Sequence, residues 1–294
     1  MLESNIFDTA LILEGGGMRA SYTAGVLNVL LRNNIFFDYV AGISAGATQA
    51  SNYLSRDSIR TRRSSTDIMY DPHTAGWRNV LKGRGYIDGE YVFEHTSEPD
   101  EFLPFDFDTF DANPAQLRVE TFNATTGTTN FFGREDLTSR DRFLAILRAS
   151  ASMPILMKPT IIDGDVHFDG GVGTTGGIPL DVAIADGYTK FFIVTTRPRS
   201  YVKKDSVPPR WYRKLLKDYP SVAEALITRP ERYNETKRTI IELERQGAAY
   251  VFWAQNMSVS NTERNVAKLN RNYQLGLAQA QRELPAFKEF LNLA

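Results

Sequence analysis

Two apolar runs frame the first fifty residues. Ala10 to Leu13 stops at three consecutive glycines, Gly15, Gly16 and Gly17, and an amphipathic stretch follows from about Ser21 to Arg32. Val26, Leu27, Leu30 and Leu31 lie along one stripe of it. Ile35 to Ile43 enters Gly42-Ile43-Ser44-Ala45-Gly46, after which small residues (Ala45, Gly46, Ala47, Ala50) open a further helical pattern. Each run reads as strand, tight loop, helix. Strand–helix–strand–helix in this order implies right-handed parallel crossovers. The expected fold is therefore α/β, three layers with helices on both faces of a largely parallel sheet. Ligands of such sheets bind beyond the carboxyl ends of the strands, where both glycine loops fall.

Downstream, residues 56–115 are the least regular. Between Asp88 and Asp111 nine acidic residues and no Lys or Arg alternate with Tyr91, Phe93, Phe102, Phe105, Phe107 and Phe110. This reads as an insertion packed on the domain, or as a lid or substrate-channel wall. Leu117–Ala124 and Thr128–Phe132 suit paired strands about Thr126-Gly127, and Ser139–Ala151 suits a helix. Thr160–Ile162 and Val166–Phe168 flank Asp163-Gly164, a two-residue hairpin signal. A helix about Pro179–Gly187, strands at Lys190–Thr195 and Ala249–Ala254, and a helix from about Thr262 to Leu284 complete the pattern. From Arg197 to Arg245, 13 Lys/Arg face 7 Asp/Glu. Such an excess suits solvated helix faces, or attraction to anionic lipid headgroups. With no repeat and no low-complexity linker, residues 1–294 are expected to form one domain. Its core would span about 9–196 and a C-terminal helical part about 197–294.

Composition narrows the chemistry. A chain of 294 residues can bury a sizeable core. A net charge of −1 argues against nucleic acid as the main partner. The absence of cysteine excludes disulfides, zinc-thiolate sites and a cysteine nucleophile. Met1–Asp8 lacks the basic start of a secretory signal. No stretch approaches the roughly 18 apolar residues of a membrane span. The expected location is cytoplasmic, with peripheral lipid contact left open, and the oligomeric state is not legible.

Gly42-Ile43-Ser44-Ala45-Gly46 fits G-x-S-x-G, a nucleophile elbow in which flanking glycines let a strand reverse into a helix around an exposed serine. The glycine loop at Gly15–Gly17 can supply N–H donors to an oxyanion. A rival reading exists, because Gly15-x-Gly17-x-x-Ala20 also fits the dinucleotide fingerprint. That fingerprint wants an acid at the end of the second strand, whereas Asp38 stands at its start. A P-loop fails, since no Lys-Ser/Thr follows the glycines. For a base, His73 and His95 fall in the irregular region and His167 in mid-strand, all better read as structural. Asp169 ends a strand and is released by Gly170 and Gly171. The hairpin's own turn chemistry accounts for Asp163 and Asp165.

In order and spacing, Glu14-Gly15-Gly16-Gly17-Met18-Arg19, Gly42-Ile43-Ser44-Ala45-Gly46, Ala149-Ser150-Ala151-x-x-Pro154 and Asp169-Gly170-Gly171 resemble the patatin-like phospholipase family, over about residues 9–196. The resemblance implies a patatin-like three-layer fold and a Ser–Asp dyad, in which Ser44 attacks the ester and Asp169 accepts its proton and later activates water. It implies an oxyanion hole in the loop of Gly15, Gly16, Gly17 and Met18, with the N–H groups of Gly16 and Gly17 foremost. Arg19 would brace that loop or meet a substrate phosphate. The implied substrate is a lipid ester, phospholipid or lysophospholipid, with no metal and no cofactor. Two departures stand out. Ala20 replaces the family's usual glycine, harmless if helical and strained if φ is positive. Val172–Pro179 lacks the usual asparagine. A dinucleotide-dependent oxidoreductase and a catalytically silent lipid-binding protein are the readings from other classes.

Overall fold

The computed structural model describes residues 2–205 and 207–293. One eight-stranded sheet contains β1 (Ala10–Leu13), β2 (Tyr39–Ile43), β3 (Gln116–Asn123), β4 (Thr128–Phe132), β5 (Thr160–Ile162), β6 (Asp165–Asp169), β7 (Phe191–Val194) and β8 (Ala249–Phe252). Its pairing path runs β5-β6-β3-β2-β1-β7-β8, with β4 on β3. The strands from β3 through β2, β1 and β7 to β8 pair parallel, and β4, β5 and β6 pair antiparallel. The fold is α/β with a mostly parallel central sheet, as the crossovers require.

The five longest helices are α1 (Ala20–Arg32), α2 (Ala45–Leu54), α3 (Arg140–Ala151), α4 (Pro220–Arg245) and α5 (Val266–Phe290), with α2 shorter than the rest. Side chains alternate across a strand, and β1 divides accordingly. Leu11 and Leu13 join an apolar core with Val26 and Leu27 of α1, Ala47 of α2, Leu144 of α3 and Phe287 of α5. Ala10 and Ile12 join a second core with Ile240 of α4 and Leu180. The sheet is thus covered on both faces. No helix among the described residues is long and apolar enough to cross a membrane.

The C-terminal region is packed onto the strand–helix core at backbone level. Gly25 of α1 and Gly276 of α5 face each other so closely that a Cβ on either would collide with the opposite main chain. The last helix outruns its expected end at Leu284, continuing through Pro285 to Phe290. A proline normally ends such a pattern. Here Phe287, fully buried against Phe192, Tyr250 and Phe252, holds the final turn in place. Part of the irregular insertion packs inward, with Phe105 and Phe110 set edge-on to each other and tilted against Phe143 of α3.

Candidate active site

The sheet register brings two strand ends together. Ile43, the last residue of β2, is paired with Glu120, and Asp169, the last of β6, with Thr121, the next residue along β3. Since β4 overlaps both partners along Val119–Asn123, it occupies the opposite edge of β3. β2 and β6 therefore approach end to end on one edge, and the chain leaving each turns outward at the same place. Ser44 and Asp169 are the residues at that junction.

Ser44 has φ 56° and ψ −126°, a conformation that a residue with a side chain adopts only under constraint. The constraint is visible. The Ser44 N–H donates to Ser150 Oγ at 2.8 Å, and the Ser150 hydroxyl donates to the Glu120 carbonyl at 2.6 Å. Two residues on, the Ser152 carbonyl accepts from the Asp169 N–H at 2.9 Å. The end of α3 thus grips both chains, a role for the Ala149-Ser150-Ala151 block that the sequence does not reveal. Gly42 is paired with Leu13 and Val119, and Gly46 leaves α2 free to lie against the Leu13 carbonyl.

Asp169 is 7% exposed and Ser44 5%. Burial pushes the Asp169 carboxyl above its usual range, while the nearby Arg229 charge, the neighbouring Ser44 hydroxyl and a hydrogen bond from the Gly171 N–H, 2.7 Å from Oδ1, draw it back. Gly170 fits against the Glu120 carbonyl. Beneath it the buried Glu120 carboxyl is pushed well above its usual range by desolvation and by Asp181 and Asp169.

The glycine loop is held from three sides. The buried Glu14 carboxylate accepts from the Thr196 N–H at 2.5 Å and from the Tyr233 hydroxyl at 2.8 Å. Thr196 Oγ1 donates to the Gly15 carbonyl at 3.2 Å and accepts from Arg19 Nε at 3.4 Å. Two of the four expected oxyanion donors are already occupied: the Gly15 N–H bonds Gly177 O at 3.0 Å and the Met18 N–H bonds Asn261 O at 3.0 Å. The N–H groups of Gly16 and Gly17 have no acceptor among the described residues. Gly17 has φ 53°, which suits glycine. Ala20 is helical with φ −61°, so alanine is unstrained there. The asparagine-free loop after Asp169 supplies Gly177 O to Gly15 and Gly176 O to Arg229 Nε, the latter at 3.0 Å.

Two cavities meet at Ser44. One is apolar, walled by Ile68, Met69, Phe93, Leu103 and Met157, mostly from the irregular insertion. The other also contains Asp169 and the glycine loop, and carries Arg19, Arg197, Lys203, Lys204 and Arg229. Burial and the neighbouring Arg229 bring Lys203 down to about 7, and burial with Arg197 brings Arg19 to about 10. Arg19 is the one cation here that the sequence singled out; Arg197, Lys203, Lys204 and Arg229 stood there only as part of a basic excess. The histidines stand apart. His73 and His95 are exposed beside Asp71 and Glu101, and buried His167 has Nδ1 3.0 Å from Thr121 Oγ1. None lines either cavity.

Comparison with known proteins identifies the family. A model described as a domain of unknown function (DUF6363) matches residues 219–292. The uncharacterized protein YjjU of Escherichia coli strain K12 is 25% identical over 221 residues, covering 70% of this chain. The match spans 56% of that relative's length. VipD from Legionella pneumophila aligns with TM-score 0.48 and 14% identity, over 95% of this chain and 67% of that one. The family model described as patatin-like phospholipase matches residues 11–184, more than half of the chain, and the protein belongs to that family.

Proposed function

We propose that this protein is a serine acyl hydrolase that cleaves a lipid carboxylic ester through an acyl-enzyme on Ser44, with Asp169 as base. The observation that carries this reading is the meeting of Ser44 and the buried Asp169 at abutting strand ends, in one cavity wall, where an apolar and a basic cavity join. Ser44 Oγ attacks the ester carbonyl while Asp169 takes its proton. The Gly16 and Gly17 N–H groups receive the resulting oxyanion. Collapse expels the alcohol, which leaves with the proton held by Asp169. Asp169 then deprotonates water, water attacks the acyl-enzyme, and the fatty acid departs as the proton returns to Ser44.

Burial makes Asp169 a stronger base than a solvated aspartate, while the nearby Arg229 charge favours its ionised form. Arg19 acts as a brace through Thr196. The apolar cavity suits the acyl chain. The basic cavity suits an anionic leaving portion, which favours phospholipid or lysophospholipid over a neutral ester.

Intact mass after incubation with a fluorophosphonate tests the reading. Wild type should gain one adduct and Ser44→Ala none. A folded wild type that stays unmodified, with or without lipid micelles, would refute the hydrolase and leave a silent lipid binder.

A further inference from the structure

The turn at residues 74–87 exposes apolar surface where a folded chain ordinarily hides it. The helix Trp77–Leu81 leaves Trp77 75% exposed and Leu81 88% exposed, with Val80 and nearby Tyr70 also open to solvent. Between Asp71 and Asp88 the chain carries Arg78, Lys82 and Arg84 and no acidic residue. Arg84 is paired with Asp88 at 3.0 Å, whereas Arg78 and Lys82 have no ion pair among the described residues.

This exposure is built into a braced segment. The Gly76 N–H donates to Tyr86 O at 2.8 Å, the Asp88 N–H to Thr74 O at 3.1 Å, and the Arg84 N–H to Asn79 O at 2.8 Å. Trp77 packs edge-on against Tyr86 at 5.8 Å, and the Tyr86 N–H donates to Leu156 O at 2.8 Å. Added Cβ atoms at Gly76 and Gly83 would meet nothing within 4 Å, so the chain is open to solvent on both sides of Trp77–Leu81. Its base is part of the reaction chamber, because Thr74, Ala75, Tyr86 and Ile87 line the apolar cavity that reaches Ser44.

We propose that residues 74–87 form a docking tip for an anionic lipid bilayer, which places the apolar cavity beside the surface from which an acyl chain would enter. Tryptophan and leucine suit the boundary between headgroups and chains, and unpaired Arg78 and Lys82 suit anionic headgroups. Isolated apolar side chains on one short exposed turn, flanked by cations, suit a deformable anionic interface better than a rigid protein surface. The reading goes beyond ester hydrolysis, and binding is measured without turnover, so the two stand or fall separately.

Flotation of the full chain with phosphatidylcholine vesicles, with and without phosphatidylglycerol, tests it. Wild type should float with the phosphatidylglycerol vesicles. The pairs Trp77→Ser/Leu81→Ser and Arg78→Glu/Lys82→Glu should each lower partitioning about tenfold or more. An unchanged circular dichroism spectrum and melting temperature would show that both pairs fold as wild type. Wild type that floats with neither vesicle overturns the proposal, as do variants that float as well as wild type. Conversion of a wild-type dimer to monomer by the first pair, with flotation intact, would assign the tip to a second copy of the chain and also overturn it.

Discussion

The two cavities that share Ser44 differ in origin as well as in chemistry. The apolar one is walled mostly by the insertion and by α2 and the end of α3, within the segment matched by the family model, with Asn261, Thr262 and Arg264 added from beyond it. Most cations of the basic one, Arg197, Lys203, Lys204 and Arg229, lie beyond residue 184, and Arg229 lies in the segment matched by the domain of unknown function. The difference teaches that, on the proposed reading, the chain side of the site comes mostly from the family segment and the charged side mostly from beyond it.

Substitutions can separate the two sides. The largest effect belongs to what they share. Ser44→Ala and Asp169→Asn should each lower kcat/KM roughly ten-thousandfold or more on every ester, with thermal unfolding little changed. Residual activity that differs between long-chain and phosphate-bearing esters would break the idea of one common centre. Next comes the chain side. Met69→Trp fills the apolar wall and should cut kcat/KM for a long-chain ester about 10- to 100-fold, sparing a short-chain one. Equal losses on both would place the chain elsewhere.

The smallest effect is expected on the basic side. Lys203→Met should raise KM for a phosphate-bearing ester several-fold, roughly the loss of one charge-assisted contact, and leave a neutral ester unchanged. Lys203 is charged below its pKa of about 7 and neutral above it. KM for the anionic ester should therefore rise with pH through that region in wild type. The Lys203-dependent part of that rise should vanish in Lys203→Met. The same rise on a neutral ester would remove Lys203 from substrate contact.

What was legible in the sequence follows the same division. Ser44 and Asp169 each stand where an apolar run breaks at glycine, a local pattern, so their position at strand ends could be read directly. The glycine loop was equally plain. Which of its N–H groups are unoccupied was not, because the Gly177 and Asn261 carbonyls that claim Gly15 and Met18 come from remote loops. Ala20 was ambiguous until its helical φ was known. The basic cavity was hidden for a similar reason. Arg197, Lys203 and Arg229 look like ordinary surface cations until the packing of α4 gathers them beside Arg19, and no local spacing encodes that. Ser150 stood in a recognised block, yet its hydrogen bonds to Ser44 and Glu120 are tertiary.

The end-to-end approach of β2 and β6 on one edge of β3 has a consequence for how this chain can change. Strand side chains alternate, so a slip of β6 by one position would send the carboxylate of Asp169 through to the opposite face of the sheet. The tight turn at Asp163-Gly164, with φ 53° and 89°, starts the count of residues that ends at Asp169. The hairpin is thus a measuring stick. Its length is a chemical parameter, and a single inserted residue in β6 could silence the site while leaving every reacting group in the sequence.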